Sequence, residues 1–323
     1  MRDLGRMLEM CRRDQWSAHD LDWSRAPREM SREDEIAIVQ YFTDMSVIER
    51  LAGALFREQE RRTPDPTLKE IFRSFIRDET RHSQVAQMLA DHYDVHGYRV
   101  YRPSTSLERF FPRFLDAVVH LSDDVANLYI TVGELILDVA LLRSINDFVK
   151  DPMSDAAMQL INRDESRHIA VDYHMVEYYS TDAYETRLRQ APRPSARERA
   201  RALWTFTTLI LHAKPFFHDV FFAPMQHMKA GHRLREAFRR FQLLESKPRV
   251  MSRPFARFMG AMVDVYAHPL ARPVLGRIVT RFAGVEPELM MRMNDRETMA
   301  RAREMTFDEL AEDAVRAKYV AEA

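Results

Sequence analysis

One hexad occurs twice in the chain: Arg-Asp-Glu-Thr-Arg-His at 77–82 and Arg-Asp-Glu-Ser-Arg-His at 163–168, 86 residues apart. The same offset carries Asp65-Pro66 onto Asp151-Pro152, so each copy reads Asp-Pro, twelve residues, then Glu-x-x-His. Residues three apart on an α-helix share a face, so Glu79 with His82, and Glu165 with His168, can each grip a cation from one side. A carboxylate with an imidazole suits iron, manganese or zinc. Two such pairs in one chain predict a two-metal site. A lone Glu-x-x-His is a chance event in a chain of this size, and a repeating surface ion-pair ladder is the competing account. The repeated hexad with its shared Asp-Pro spacing outweighs both.

Geometry locates the remaining ligands. If Pro64 marks a hairpin turn, the residue level with Glu79 on the preceding helix is Glu49, because 49 and 79 average to 64. A second hairpin at Lys150-Asp151-Pro152 puts Glu134 level with Glu165. At about 1.5 Å rise per residue, all four glutamates stand roughly 22 Å from the turns, at one height. Six ligands with four carboxylates balance two divalent cations, so a buried site need carry little net charge.

The elements that must position these residues are helices. Ser31 with Asp34 reads as a capping arrangement opening a helix near 32–61. Asp65 and Asp151 each cap a helix with proline in its first turn, near 66–94 and from 152 to about 180. A helix near 106–121 leads into another near 122–149. Residues 1–30 read as an irregular segment, with Trp16 and Trp23 plugging a bundle end. A Pro/Arg-rich stretch at 189–199 precedes further helices near 195–230, 231–246, 253–268, 270–284 and 307–320. No strand-period alternation competes. The expected fold is all-α: a four-helix bundle of two helical hairpins over 31–182, preceded by 1–30 and extended by C-terminal helices over 195–323.

Asp78 and Asp164 precede the ligand glutamates and are expected to accept the N–H of the histidine on the opposite hairpin, fixing its tautomer. Arg81 and Arg167 read as ion-pair partners. Asp138 and Asp172 stand four residues after Glu134 and His168, where each is either a proton relay or an additional ligand, or else a helix-edge ion pair. The aromatic run Trp204, Phe206, Phe216, Phe217, Phe221, Phe222 reads as core.

Composition bounds the rest. A net charge of −1 argues against nucleic acid or acidic membrane as partner. The single Cys11 excludes an internal disulfide framework and a cysteine zinc site, which suits a reducing cytoplasm. The longest apolar stretch, 202–213, is too short to span a bilayer.

With this ligand set the chain resembles the ferritin-like di-iron carboxylate superfamily, in particular the branch related to the small subunit of ribonucleotide reductase, with its acyl-carrier-protein desaturases, N-oxygenases and hydroxylases. The resemblance covers about residues 15–180. It implies a ferritin-like bundle, two iron ions (or manganese, or one of each) on Glu49, Glu79, His82, Glu134, Glu165 and His168, and an oxidoreductase, a monooxygenase or desaturase, that activates dioxygen. A small-molecule or carrier-protein-bound substrate and an external electron donor, a ferredoxin or a reductase, are implied with it, and a homodimer is compatible with it. An iron-handling protein of the ferritin or rubrerythrin kind is the alternative. The radical tyrosine of the reductase subunits falls on Ala86 here, the extra histidine of the N-oxygenases on Ile161, and the threonine that follows the third glutamate in desaturases on Leu137.

Overall fold

The structure, a computed structural model, describes residues 3–99, 101–276, 289 and 291–319. All regular secondary structure among them is helical. Helix α1 (Leu4–Arg13) is followed by α2 (Arg32–Arg62) and α3 (Pro66–Tyr93), which pack closely on each other. The two are joined by only three residues because each end is sharply set. Thr63 has an extended backbone, and Asp65 accepts hydrogen bonds from the N–H groups of Thr67 and Leu68, with Pro66 at the first helical position.

Next come α4 (Thr105–His120) and α5 (Asp123–Leu135), the latter continuing without a break through a π-helical turn, Ile136–Leu142, into α6 (Arg143–Val149). The sequence predicted one regular helix there, and no glycine or proline marks the π turn. Lys150 then adopts the left-handed conformation (φ 49°) and Asp151 caps α7 (Pro152–Tyr179) through the N–H of Met153. Helix α7 packs against both α5 and α3. The helical spans expected from the spacing of caps and breakers thus hold to within one or two residues.

Residues 1–30 differ from expectation. They are not irregular throughout: α1 lies on α3, with Met7 and Cys11 buried against Phe56, Phe72 and Phe75. Its 10 residues are polar enough on one side to hide the buried stripe from a reading by composition. Also unforeseen were α8 (Asp182–Gln190), which ends as the Pro/Arg-rich stretch begins, α12 (Pro248–Met251) and α14 (Arg296–Glu304).

The C-terminal helices are α9 (Ala196–Phe217), which runs through a π turn (His218–Phe222) into α10 (Ala223–His227), then α11 (Gly231–Glu245), α13 (Pro254–Ala267) and α15 (Phe307–Ala317). The irregularity in the first of these follows Pro215, which has no N–H to donate. Of the helix expected near 270–284, residues 270–271 form a turn, a π turn spans Arg272–Gly276, and 277–284 lie outside the described residues. These helices share the core of the first part: α9 lies on α4, with Phe216 stacked on Phe110 at 4.2 Å, and α15 lies on α7. Trp204, expected in the core, is 68% exposed, while Phe216, Phe221 and Phe222 are buried as expected.

Candidate metal centre

Four helices deliver the predicted ligands to one buried place. Glu49 comes from α2, Glu79 and His82 from α3, Glu134 from the end of α5, and Glu165 and His168 from α7. None is more than 5% exposed. Ligand atoms of Glu49, Glu79, His82 and Glu165 lie within 4.8 Å of one another, and those of Glu134, Asp138 and Glu165 form a second, three-residue group within the same distance. Glu165 belongs to both and stands between them. His168 falls outside both groups, but its Nδ1 is 2.8 Å from Glu165 Oε2 and 3.0 Å from Glu79 Oε1. His82 Nδ1 is 2.9 Å from Glu165 Oε1 and 3.7 Å from Glu79 Oε2. Both imidazoles therefore turn Nδ1 toward the carboxylates. Asp172 is fully buried and belongs to neither group, and neither of its oxygens has a hydrogen-bond partner.

The outward ring nitrogens meet the aspartates of the opposite hexad. His82 Nε2–H donates to Asp164 Oδ2 at 3.2 Å, and His168 Nε2 lies 3.6 Å from Asp78 Oδ2. The placement is the crossed one expected from the hexads, with a hydrogen bond in the Asp164–His82 half and none in the Asp78–His168 half. Arg81 and Arg167 tie the two aspartates together, since each donates to both: Arg167 Nη2 reaches Asp164 Oδ1 at 2.7 Å and Asp78 Oδ2 at 3.4 Å, and Arg81 Nη2 reaches Asp164 Oδ2 at 3.0 Å and Asp78 Oδ1. Two aspartates and two arginines sum to zero charge, so this ring can be buried without a counter-ion. The arginine pairs are inter-helix, as expected, but lie inside the molecule. Trp16 does not plug a bundle end. Its Nε1–H donates to Asp164 Oδ2 at 2.7 Å, its ring stacks over His82 at 6.3 Å, and Arg81 sits over its face at 4.8 Å. Gln15 donates to Ser74 and, at 3.4 Å, to Asp78.

Inside this neutral ring the balance is different. The four glutamates with Asp138 and Asp172 make six buried acids, which the two imidazoles face, and the amine of Lys318 stands 3.8 Å from Asp138. Both side-chain oxygens of Glu49, Glu79, Asp138 and Asp172 lack a hydrogen-bond partner, as do Glu134 Oε2 and Glu165 Oε1. Burial raises Glu49, Glu134, Asp138 and Asp172 well above the usual carboxylate range, and the charge of neighbouring acids adds to it for Glu49 and Glu134. Burial also acts on Asp164 and Glu165, but for both the histidines overcome it and hold the carboxyl low. Burial lowers His82 and His168, yet the surrounding carboxylates raise both far above the ordinary imidazole value. Such a set of oxygens and two nitrogens attracts positive charge strongly, and oxygen with imidazole nitrogen is the donor chemistry of a divalent iron or manganese site. Unsatisfied carboxylate oxygens at this depth cost several kcal/mol each unless a cation or proton meets them.

An apolar cavity of about 70 Å³ adjoins Glu134. Ile48, Leu51 and Leu55 of α2, Phe110 and Phe114 of α4, and Phe216, Phe217 and Phe221 close it, and Glu134 is the one charged residue in its lining. Part of the C-terminal aromatic run thus faces this space and is not only core. Sequence reading missed three contributors: Trp16 as a partner of Asp164, Phe216 as a cavity wall, and Lys318 beside Asp138. Spacing gave no sign of them because all three approach from elements with no place in the repeat.

No family model matches the chain, and no curated protein matches it either. No helix among the described residues is long and apolar enough to cross a membrane.

Proposed function

We propose that the protein is a dinuclear non-haem metal oxidase of the ferritin-like kind, in which α2, α3, the α5–α6 rod and α7 form the bundle. Glu49, Glu79, His82, Glu134, Glu165 and His168 hold the two ions, with iron the first choice and manganese, or one of each, the others. Such a pair, when bound, supplies the reaction of dioxygen that oxidises a C–H or N–H bond, drawing electrons from an external donor.

The chain's own residues do the remaining work. Asp164 holds the Nε2 proton of His82 and so fixes its tautomer with Nδ1 inward, and Asp78 faces Nε2 of His168 from 3.6 Å and favours the same orientation. Arg81, Arg167 and Trp16 keep Asp164 ionised and in place. Glu134 has an oxygen with no hydrogen-bond partner, which would leave its carboxylate free to turn toward a bound ion. The apolar cavity beside Glu134 suits a small hydrophobic substrate group, free or tethered to a carrier protein, and its phenylalanines keep water from the reacting bond.

The observation that carries this reading is the crossed pairing. Two copies of one hexad, each lending its aspartate to the other's histidine, enclose carboxylate oxygens that have no other partner. The test is anaerobic titration with ferrous iron, metal analysis, and stopped-flow absorption after mixing with dioxygen. Two iron ions per chain and a transient visible band are expected. Sub-stoichiometric iron with no transient would remove the oxidase reading. Uptake of many ions per chain would favour iron storage instead.

A further inference from the structure

Lys318 is an unusual residue to find at this depth. It directly follows α15, is 2% exposed, and reaches past α7 toward the carboxylates. Its ammonium donates to the carbonyl of Asn162 at 3.1 Å and lies 3.5 Å from Ser166 Oγ, a residue that stands between the ligands Glu165 and His168 in the sequence of α7. Its own carbonyl accepts a hydrogen bond from Arg143, directly after the π turn. The amine is therefore anchored from α7 and the backbone of the same residue from α6, neither by an acid. Asp138 stands 3.8 Å away, too far for a hydrogen bond, and both of its oxygens are without one. The same carboxylate groups with Glu134 and Glu165, in the position where His168 was expected to complete the second half of the site. Its backbone lies in a π turn, a rare conformation that departs from the regular ladder and often marks a functional residue.

We infer that Asp138 is a further ligand to the ion held by Glu134 and Glu165, and that Lys318 competes with that ion for the same carboxylate. The inference rests on the dinuclear reading above and adds to it a seventh protein ligand and a charge that opposes loading of one ion only. Three features support the competition. The amine is held by a carbonyl and a hydroxyl of α7, both neutral, and so stays in place whichever way Asp138 turns. The ion pair is long, so Asp138 gives up no hydrogen bond by turning to a metal. The other half of the site carries Gly53 where this half carries Asp138, four residues after the glutamate in each case, so no equivalent contest exists there. By linkage, whatever weakens the seating of α15 eases loading of the ion beside Glu134.

Cobalt(II) titration of the full chain, followed by visible absorption and metal analysis, tests this without requiring turnover. The variants are Asp138→Asn, Lys318→Met and Lys318→Arg, each checked by circular dichroism and thermal melting. Two cobalt ions are expected on the unaltered protein. Asp138→Asn should weaken one of them by about tenfold or more and intensify its visible bands as a ligand is lost, leaving the other ion unchanged. Lys318→Met should tighten that same ion by about tenfold, and Lys318→Arg, which retains the charge, should bind as the unaltered protein does. Unchanged affinity and spectrum in Asp138→Asn, or equal or weaker binding in Lys318→Met, would overturn the inference while leaving the two-ion reading intact. Failure of the unaltered protein to bind two ions would overturn both. If the methionine variant does not fold, Asp138→Asn alone decides.

Discussion

The two hexads lie in helices of the same length, 28 residues each, yet their surroundings differ. Four residues after the glutamate of the partner helix stands Gly53 in one half and Asp138 in the other; four residues after the histidine stands Ala86 in one and Asp172 in the other. His82 stacks on Trp16 and meets Asp164 at 3.2 Å, whereas His168 is wedged by Phe75 at 4.1 Å and Phe56 at 5.2 Å and stands 3.6 Å from Asp78. Around Glu49 and Glu79 the packing is tight: a Cβ on Gly53 would lie 3.3 Å from that of Glu79. Around Glu134 there is a π turn, two further acids and a cavity. A repeat in sequence therefore produced two equal ligand pairs, and the helices outside the repeat made the site lopsided. On the proposed function, one half holds an ion and the other lets an ion, a carboxylate and a substrate group change places.

The largest expected break in this comparison is at the crossed aspartates. Asp164 takes hydrogen bonds from His82, Trp16, Arg81 and Arg167, so Asp164→Asn leaves two buried arginines facing one acid. A loss of roughly 3–5 kcal/mol is expected, measured by denaturant unfolding of the metal-free protein. Asp78 has longer contacts apart from that with Arg81, so Asp78→Asn should cost clearly less, and each variant should lower metal affinity by roughly 10–100-fold. Equal losses at the two positions would mean that the asymmetry has no energetic content.

A buried acid outside the cluster measures what burial does alone. Glu245, at the end of α11, has an oxygen with no hydrogen bond, and burial pushes its carboxyl up to about 8 from an ordinary 4.5. The folded protein then keeps a proton that the unfolded chain gives up, so this group's stability is present below pH 4.5 and lost as the pH rises through 8. Glu245→Gln is expected to stabilise the protein by a few kcal/mol at pH 9 and to change little at pH 4.5, read from unfolding curves at the two values. A pH-independent effect would show that the carboxyl has a partner.

The smallest effects come from the glycines. Gly53→Ala forces Glu79 to give way by a few tenths of an ångström and should cost about 1–2 kcal/mol and weaken metal binding. Gly133→Ala, beside Glu134, meets nothing within 4 Å and should be neutral or stabilising by up to about 1 kcal/mol, because alanine is the better helix former. Thermal melts of the two variants, with and without metal, sharpen the contrast between a packed half and an open one.

Much was legible in the chain itself. The caps at Ser31, Asp65 and Asp151 and the prolines behind two of them fixed where helices begin, because they act through bonds only two or three residues long. Helical periodicity then put Glu79 with His82 and Glu165 with His168 on single faces, and equal distances from the turns picked out Glu49 and Glu134. Those are local rules, and they need no knowledge of what lies across the helix. What packs against what is another matter. The approach of Trp16 to Asp164 over 148 positions, of Phe216 to Phe110, and of Lys318 to Asp138 depends on how α1, α9 and α15 settle on the bundle. Nor did spacing distinguish a ligand from an ion pair at Asp138, since that turns on a π turn with no sequence mark and on a lysine brought in from the last helix. The sequence by itself determined the two ligand pairs and their height, because short-range hydrogen bonds and helical repeat dictate them. Only the tertiary structure decided which carboxylates go unpaired and which cation faces them, because burial and charge are sums over everything nearby in space.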